Sequence, residues 1–319
     1  MTIKYRPNDI VRDEHFLVTK KEIKKTSKGD EYYQLELTKP EGKIDAKIWN
    51  NNLPFCQVEV GKIIEVNGKT QEYNNQISLI IDNCQIVVNE DIEEYRANIK
   101  TMVFDIETVG KKFEELDSAE QEYLLNNLEK GENDKEIAKK KTGLYSIFGM
   151  VCAIGMYNPY TKKGMVMLIS DKDLVPEKEN YTYKIFKNEK DLLVGFWEIA
   201  KEYELFVTYN GDTFDFPYLQ IRSGINRVKV PFEIKKNWNG GDKFIDLQNK
   251  IRQSHGFKLE MLCKAFGIDN PKEAGVHGGD VNELFDKKEY QKIADYVARD
   301  AYSTTQLYLI WKEFMSGEI

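Results

Sequence analysis

The sequence is poor in the residues that build metal frameworks and covalent staples. Its four cysteines, Cys56, Cys84, Cys152 and Cys263, are isolated and never spaced as C-x-x-C. They therefore read as buried free thiols, not as a disulfide or zinc framework. Three histidines, His15, His255 and His277, build no metal site either. Zinc fingers and His-Asp phosphohydrolases are thereby excluded, which leaves carboxylates as the candidate metal ligands. A run of about 18 apolar residues is also missing; the nearest stretch, VCAIGMYNPYTKKGMVMLIS, is cut by Asn158, Pro159 and Lys162. The start, MTIKYRPND, lacks the apolar region of a signal peptide. No membrane partner and a cytoplasmic location are the expectations, whether a cell or a virus encodes the chain. Finally, a net charge of -7 lacks the cationic excess of a protein coated in phosphate contacts. Local patches would have to serve, and the densest is KKEIKKTSKG, residues 20–29, which includes Lys24 and Lys25.

What is present is enough apolar material for two domains: 319 residues, 41% hydrophobic and 12% aromatic. Residues 14–87 alternate with strand period through HFLVTKKEIKK, EYYQLELT, KIDAKIWN, KIIEVNGKTQEY and QISLIIDNCQIVV, separated by turn-rich TSKGD, KPEG and YNN. Closely spaced strands of this kind predict a small closed barrel. Alternation points Tyr33, Leu35 and Leu37 inward with Ile44, Ala46 and Ile48, and points Tyr32, Gln34, Glu36, Asp45, Lys47 and Trp49 outward. Tyr32, Lys47 and Trp49 on one outer face suit stacking of single-stranded bases, although packing against a neighbouring domain would use the same surface. The stretch resembles the nucleic-acid-binding OB-fold, particularly the version fused to bacterial exoribonucleases, through DAKIWN and VNGKTQEYNNQISLII.

The acidic, polar NEDIEEYRANIK, residues 89–100, marks the change to strands mixed with long helical segments, so the domains are placed at 1–95 and 96–319. Residues 113–141 read as a helical insertion, with Leu116, Tyr123, Leu124 and Leu128 weakly periodic and KGENDKEIAKKK too charged for core. Beyond it, MVCAIGMYN and GMVMLIS read as strands, EKDLLVGFWEIAKEY as an amphipathic helix and LFVTYNG as a buried strand. KLEMLCKAFGI and YQKIADYVARDAYSTTQLYLIWKEF read as helices.

Three acidic clusters fall on this frame. In FDIETVG, Asp105 and Glu107 project from one strand face while Phe104 and Ile106 point into the core; two adjacent carboxylates make sense around a cation, yet a solvent-facing strand would explain them too. In TYNGDTFDFPYL, Asp215 sits between phenylalanines at a strand-to-helix junction, whereas Asp212 has an ordinary turn or capping explanation. In YVARDAYSTTQLYLIW, Tyr296 and Asp300 share a helical face. Core packing there runs along Ile293, Val297, Ala301, Tyr308 and Trp311, and Tyr296, Asp300 and Ser303 form a second stripe that reads equally as a half-exposed flank.

The joint order FDIET, YNGDTFDFPYL, YVARD resembles the DEDD superfamily of 3'-to-5' exonucleases, with Tyr296 marking its tyrosine subclass and the second motif similar to the proofreading domain of family-B DNA polymerases. The resemblance spans about residues 101–314. It implies an α/β RNase H-like exonuclease domain preceded by an all-β OB-fold barrel. It also implies that Asp105, Glu107, Asp215 and Asp300 hold two divalent ions, Mg²⁺ or Mn²⁺, and that Tyr296 holds the attacking water. Thr108, Asn210 and Phe214 then lie against the substrate strand, and Tyr32, Lys47, Trp49, Lys24 and Lys25 bind nucleic acid on the barrel. The implied substrate is single-stranded DNA, with RNA as the alternative that the exoribonuclease-like barrel favours and replication or repair proteins as further partners. A catalytically decayed binding accessory is the reading from another class; against it, all four acids and the tyrosine are present.

Overall fold

The computed structural model describes residues 3–74, 76–88, 90, 92, 95, 100–126, 135–234, 243–252, 256–269 and 278–316. The chain divides into two compact units, Met1–Ile99 with Lys312–Ile319, and Lys100–Trp311.

In the first unit, five strands close into a barrel: β1 (Ile10–Lys25), β2 (Glu31–Lys39), β3 (Gly42–Ile48), β4 (Ile63–Tyr73) and β5 (Gln76–Ile86), in the order β1-β2-β3-β5-β4. All neighbours are antiparallel except β3 and β5, whose parallel pairing from Asp45↔Ser78 to Lys47↔Ile80 closes the barrel. The expected alternation holds at its centre: Leu35, Leu37, Ile44, Ala46 and Ile48 are buried with Phe16, Val18, Ile64, Val66, Leu79 and Ile81. Tyr33 is only half-buried, its ring lying under the Lys21 Nζ at 4.2 Å. Strand β1 starts earlier than the alternation indicates. Asp13, at φ +51°, sits in a register shift between Val11 and Glu14 that breaks the two-residue period and lets one long strand serve both β2 and β4.

The second unit is built on a six-stranded sheet of order β11-β10-β6-β7-β8-β9. Its strands are β6 (Thr101–Gly110), β7 (Gly149–Asn158), β8 (Lys163–Ile169), β9 (Tyr181–Phe186), β10 (Leu205–Thr208) and β11 (Phe244–Asp246). The described helices are α1 (Ser118–Asn126), α2 (Lys135–Lys141), α3 (Glu189–Ala200), α4 (Asp215–Ile225), α5 (Leu247–Ile251), α6 (Leu259–Phe266), α7 (Val281–Asp286) and α8 (Tyr290–Phe314). Alternation along β6 separates two cores. Met102, Phe104 and Ile106 join Phe196, Phe206, Phe216 and Phe244 on the face carrying α3 and α4, while Val103 joins Leu307 and Tyr308 of α8 on the other. Asp105 and Glu107 share the face of Val103 and so point to the α8 side. Helix α8 can lie this close because residue 155 is glycine. It pairs with Asp105 across the sheet, and a Cβ there would sit 2.3 Å from the Val297 carbonyl oxygen.

Three readings of the sequence change. Edge strand β9 was not expected; it is short, and its alternation of Tyr181, Tyr183 and Ile185 with exposed Thr182 and Lys184 spans only six residues. The charged stretch read as unfit for core supplies Ala138, fully buried with Phe113, Leu116, Leu124 and Phe148 in a small core of the insertion's own. Leu128 and residues 130–134 lie outside the described residues. The stripe Tyr296, Asp300 and Ser303 is buried throughout, not a half-exposed flank.

The close approach at Gly155 generates a prediction. Gly155→Ala should lose about 1–3 kcal/mol in urea unfolding, the cost of overpacking. Gly224→Ala, in α4 with nothing within 4 Å of the added Cβ, should gain up to about 1 kcal/mol from helix propensity. Equal behaviour of the two variants would contradict the assigned role of Gly155.

Candidate active site

Strand β6 delivers the first two acids in regular pairing with β7, just before a bulge in that strand. Its register against β7 steps from Glu107↔Ala153 to Thr108↔Val151, leaving Cys152 as the extra residue, with its Sγ donating to the Glu107 carbonyl at 3.4 Å. Asp215 is the first residue of α4, and its Oδ1 accepts the Ile106 N–H at 3.1 Å. That bond ties the second acidic segment to the middle of the first. Helix α8 brings Tyr296 and Asp300 from the sheet face that Gly155 leaves open. Oxygens of Asp105, Glu107 and Asp300 lie within 4.8 Å of one another. These three, with Asp215, Thr108, Asn210, Phe214 and Tyr296, line one cavity of about 430 Å³.

Electrostatics sets what this cavity can hold. Burial raises the carboxyls of Asp105 and Glu107 well above their ordinary range, and the neighbouring acids Asp215 and Asp300 add to it. Burial pushes Asp215 up to about 7 against the lowering effect of its backbone hydrogen bonds. None of Asp105, Glu107 and Asp215 forms an ion pair among the described residues. Two ionised carboxylates at the 4.8 Å limit repel by about 3 kcal/mol at an effective dielectric near 20. Several such pairs rival the whole net stability of a domain, about 5–15 kcal/mol. An all-oxygen donor set of this charge fits a hard divalent cation such as Mg²⁺ or Mn²⁺. Tyr296 is raised strongly by burial and by Asp300, Glu107 and Asp105, so it keeps its proton as a neutral hydroxyl.

The loop carrying Asn210, Phe214 and Asp215 is held by a residue that the sequence reading did not single out. Asp246, at the end of β11 and 3% exposed, caps α5 by accepting from the Gln248 and Asn249 N–H groups. It also accepts from Asn210 N at 2.9 Å, Asp212 N at 3.1 Å and Asn249 Nδ2 at 3.2 Å. Asn210 takes a left-handed conformation, φ +66°, within this loop. The signal available in the sequence was only that of a helix cap, an aspartate between FI and LQNKI. Asp212 lies outside the cavity lining, and its Oδ2 accepts from Asn249 Nδ2. The end of the insertion also reaches the cavity: Lys141 lines it together with Gly143 and Leu144, which follow the insertion, and the Gly143 carbonyl accepts from Thr108 Oγ1 at 2.7 Å and Tyr218 Oη at 2.9 Å. Gly278, Gly279 and Asn282 complete the wall without any prior signal.

The barrel residues belong to the other unit. Tyr32 and Trp49 rings lie 4.9 Å apart with Lys47 Nζ 5.7 Å from the indole. The lysine patch is partly neutralised: Lys20 and Lys24 pair with Glu22 at 2.7 and 3.1 Å, and Lys25 with Glu31 at 3.6 Å.

Raised carboxyl values carry a definite sign. Stability from Asp215 is complete below its unfolded value near 3.8 and is lost as pH rises through about 7. Metal-free protein should therefore melt lower at pH 7 than at pH 5, and millimolar Mn²⁺ should recover the loss in a thermal scan at pH 7 but much less at pH 5. Asp246→Asn sets an amide donor against the Asp212 N–H or the Asn249 side chain. It should cost about 1–3 kcal/mol, the penalty of an unpaired buried polar group, by urea unfolding.

A family model described as "Predicted 3'-5' exonuclease related to the exonuclease domain of PolB" matches residues 172–319, which include Asp215, Tyr296 and Asp300 and begin after Asp105 and Glu107. An uncharacterized protein of Methanocaldococcus jannaschii is 30% identical over 156 residues, 44% of this chain and 80% of that protein. DNA polymerase 1 of Sulfurisphaera ohwakuensis is 27% identical over 172 residues, 49% of this chain and 19% of the polymerase. The DNA polymerase of Archaeoglobus fulgidus is 25% identical over 182 residues, 52% of this chain and 22% of the polymerase. The chain thus spans about a fifth of the length of these polymerases and most of the uncharacterized relative. The chain belongs to one family with that uncharacterized relative, and its residues 172–319 match a predicted 3'-5' exonuclease domain related to that of PolB.

Proposed function

We propose that the protein is a metal-dependent 3'-to-5' exonuclease of the tyrosine subclass that hydrolyses single-stranded DNA to 5'-mononucleotides. The observation that carries this reading is the convergence of Asp105, Glu107, Asp215, Asp300 and Tyr296, from three separate segments, on one cavity. In this reading the four carboxylates hold two ions, Mg²⁺ or Mn²⁺. Such ions supply a nucleophile at neutral pH and offset charge on the phosphodiester oxygens. The protein's own groups do the positioning. Tyr296, neutral because of its burial and acidic neighbours, orients the attacking water instead of deprotonating it. Phe214, Thr108 and Asn210 set the 3'-terminal nucleotide against the acids.

The domains in this reading are an OB-fold over residues 1–95 and an RNase H-like exonuclease domain over 96–319. Stacking on Tyr32 and Trp49, with Lys47, Lys24 and Lys25 near the backbone, retains the strand. Similarity to DNA polymerases supports DNA over RNA as substrate. A cytoplasmic location belongs to the same proposal.

Single-turnover cleavage of a 5'-labelled oligonucleotide tests the site. Asp105→Ala, Asp215→Ala and Asp300→Ala, each still folded, should lose at least about a thousandfold in rate, more than a single transition-state donor supplies. Tyr296→Phe should lose about ten- to a hundredfold with affinity unchanged, as expected for one positioned hydrogen bond. Full rates in EDTA, rapid cutting of circular single strands, or faster digestion of RNA than DNA would each contradict a named part of the reading. For the barrel, Trp49→Ala should weaken oligo(dT) binding by about 1–3 kcal/mol, the worth of one stacked base, by fluorescence anisotropy.

A further inference from the structure

Cys56 and Cys84 lie in the first unit, away from any role in the chemistry above. Cys56 follows the 3₁₀ turn Asn50–Phe55 and forms an isolated parallel bridge with Cys84 of β5; the Gln57 N–H donates to the Cys84 carbonyl at 2.9 Å. Residues paired across such a bridge have backbones about 4.8 Å apart and side chains on one side. Disulfides span Cα separations of about 4.4–6.8 Å, a range that includes the spacing of paired strands. Cys84 Sγ donates to the Gln57 carbonyl at 3.7 Å, next to the Cys56 backbone. Cys56 is half-buried and within reach of a small solute, while Cys84 is 4% exposed. Cys152 and Cys263 differ: both are fully buried in the other unit.

We propose that Cys56 and Cys84 are a redox modification site, a dithiol that a peroxide converts reversibly to a disulfide that tethers the Asn50–Phe55 turn to β5. The steps balance. The Cys56 thiolate attacks a peroxide oxygen and the O–O bond breaks, giving a sulfenic acid and hydroxide. The Cys84 sulfur then displaces the sulfenic hydroxyl, which leaves as water with the Cys84 proton, and the S–S bond forms. The two thiols are oxidised by two electrons and the peroxide is reduced. A thiol reductant reverses the change. The S–H of Cys84 lowers the Cys56 thiol by stabilising its thiolate, whereas Cys84 is itself pushed up by Cys56 and by burial. This assigns attack to the accessible sulfur and resolution to the buried one.

The tethered turn begins at Trp49, its capping residue, and is held in the dithiol form by Asn52 N–H to the Trp49 carbonyl at 2.8 Å and Asn52 Nδ2 to the Ile81 carbonyl at 3.0 Å. A covalent link at Cys56 closes the far end of that turn.

The test uses the full chain, reduced, freed of reductant, and treated with dilute hydrogen peroxide. Alkylation under denaturing conditions with intact-mass analysis should count two free thiols instead of the four of the sequence, and peptide mapping should give the Cys56–Cys84 cross-link. Cys56→Ser and Cys84→Ser should each abolish that cross-link, Cys263→Ser should retain it, and Cys84→Ser should leave a dimedone-reactive Cys56. Amide exchange over residues 50–56 should slow at least fivefold on oxidation and recover in dithiothreitol. Four alkylatable thiols after treatment, a different pairing, or progression to sulfinic acid without a cross-link would overturn the site. A cross-link that leaves amide exchange unchanged would overturn the tether.

Discussion

Repulsion among buried carboxylates is the constraint on which the second unit is built. Asp105, Glu107 and Asp300 are brought within 4.8 Å although each would rather face water. Only a rigid frame holds them so. The frame is the contact of α8 with β7 at Gly155, where two backbones meet with no side chain between them. Asp215 is fixed by a main-chain donor, the Ile106 N–H, which holds one of its oxygens, Oδ1, at the middle of β6.

Around that frame the protein uses further acids for geometry. Asp246 holds a loop through backbone donors, and Glu189 accepts from the Val151 N–H while pairing bidentately with Arg222 at 2.9 and 2.6 Å. Both are buried carboxylates with partners that match their lone pairs. Their contrast with Asp105 and Glu107 is chemical: one pair of acids is satisfied by protein donors, and the other forms no ion pair among the described residues.

The insertion at 113–141 has a local core and a functional end. Thr108 and Tyr218 both donate to Gly143, so the segment entering the cavity wall is fastened to the strand of the first motif and to the helix of the second.

Much of the plan was legible in the residues themselves. Alternation at Leu35, Leu37, Ile44, Ala46 and Ile48 set the barrel's inner face, because a strand repeats every two residues whatever its neighbours. The spacing of Asp105 with Glu107 and of Tyr296 with Asp300 likewise fixed which pairs share a face of one element. What those faces meet was decided only in three dimensions. Asp246 reaches Asn210 and Asp212 across 36 and 34 residues, and Gly155 is required by a helix far along the chain. Lys25 meets Glu31 only because β1 pairs with β2, whereas Glu22 pairs with Lys20 and Lys24 along its own strand. Local period is a property of one element and is written in order along it. The close approach at Gly155 and the hydrogen bonds of Asp246 join elements distant in sequence, and no local pattern records them.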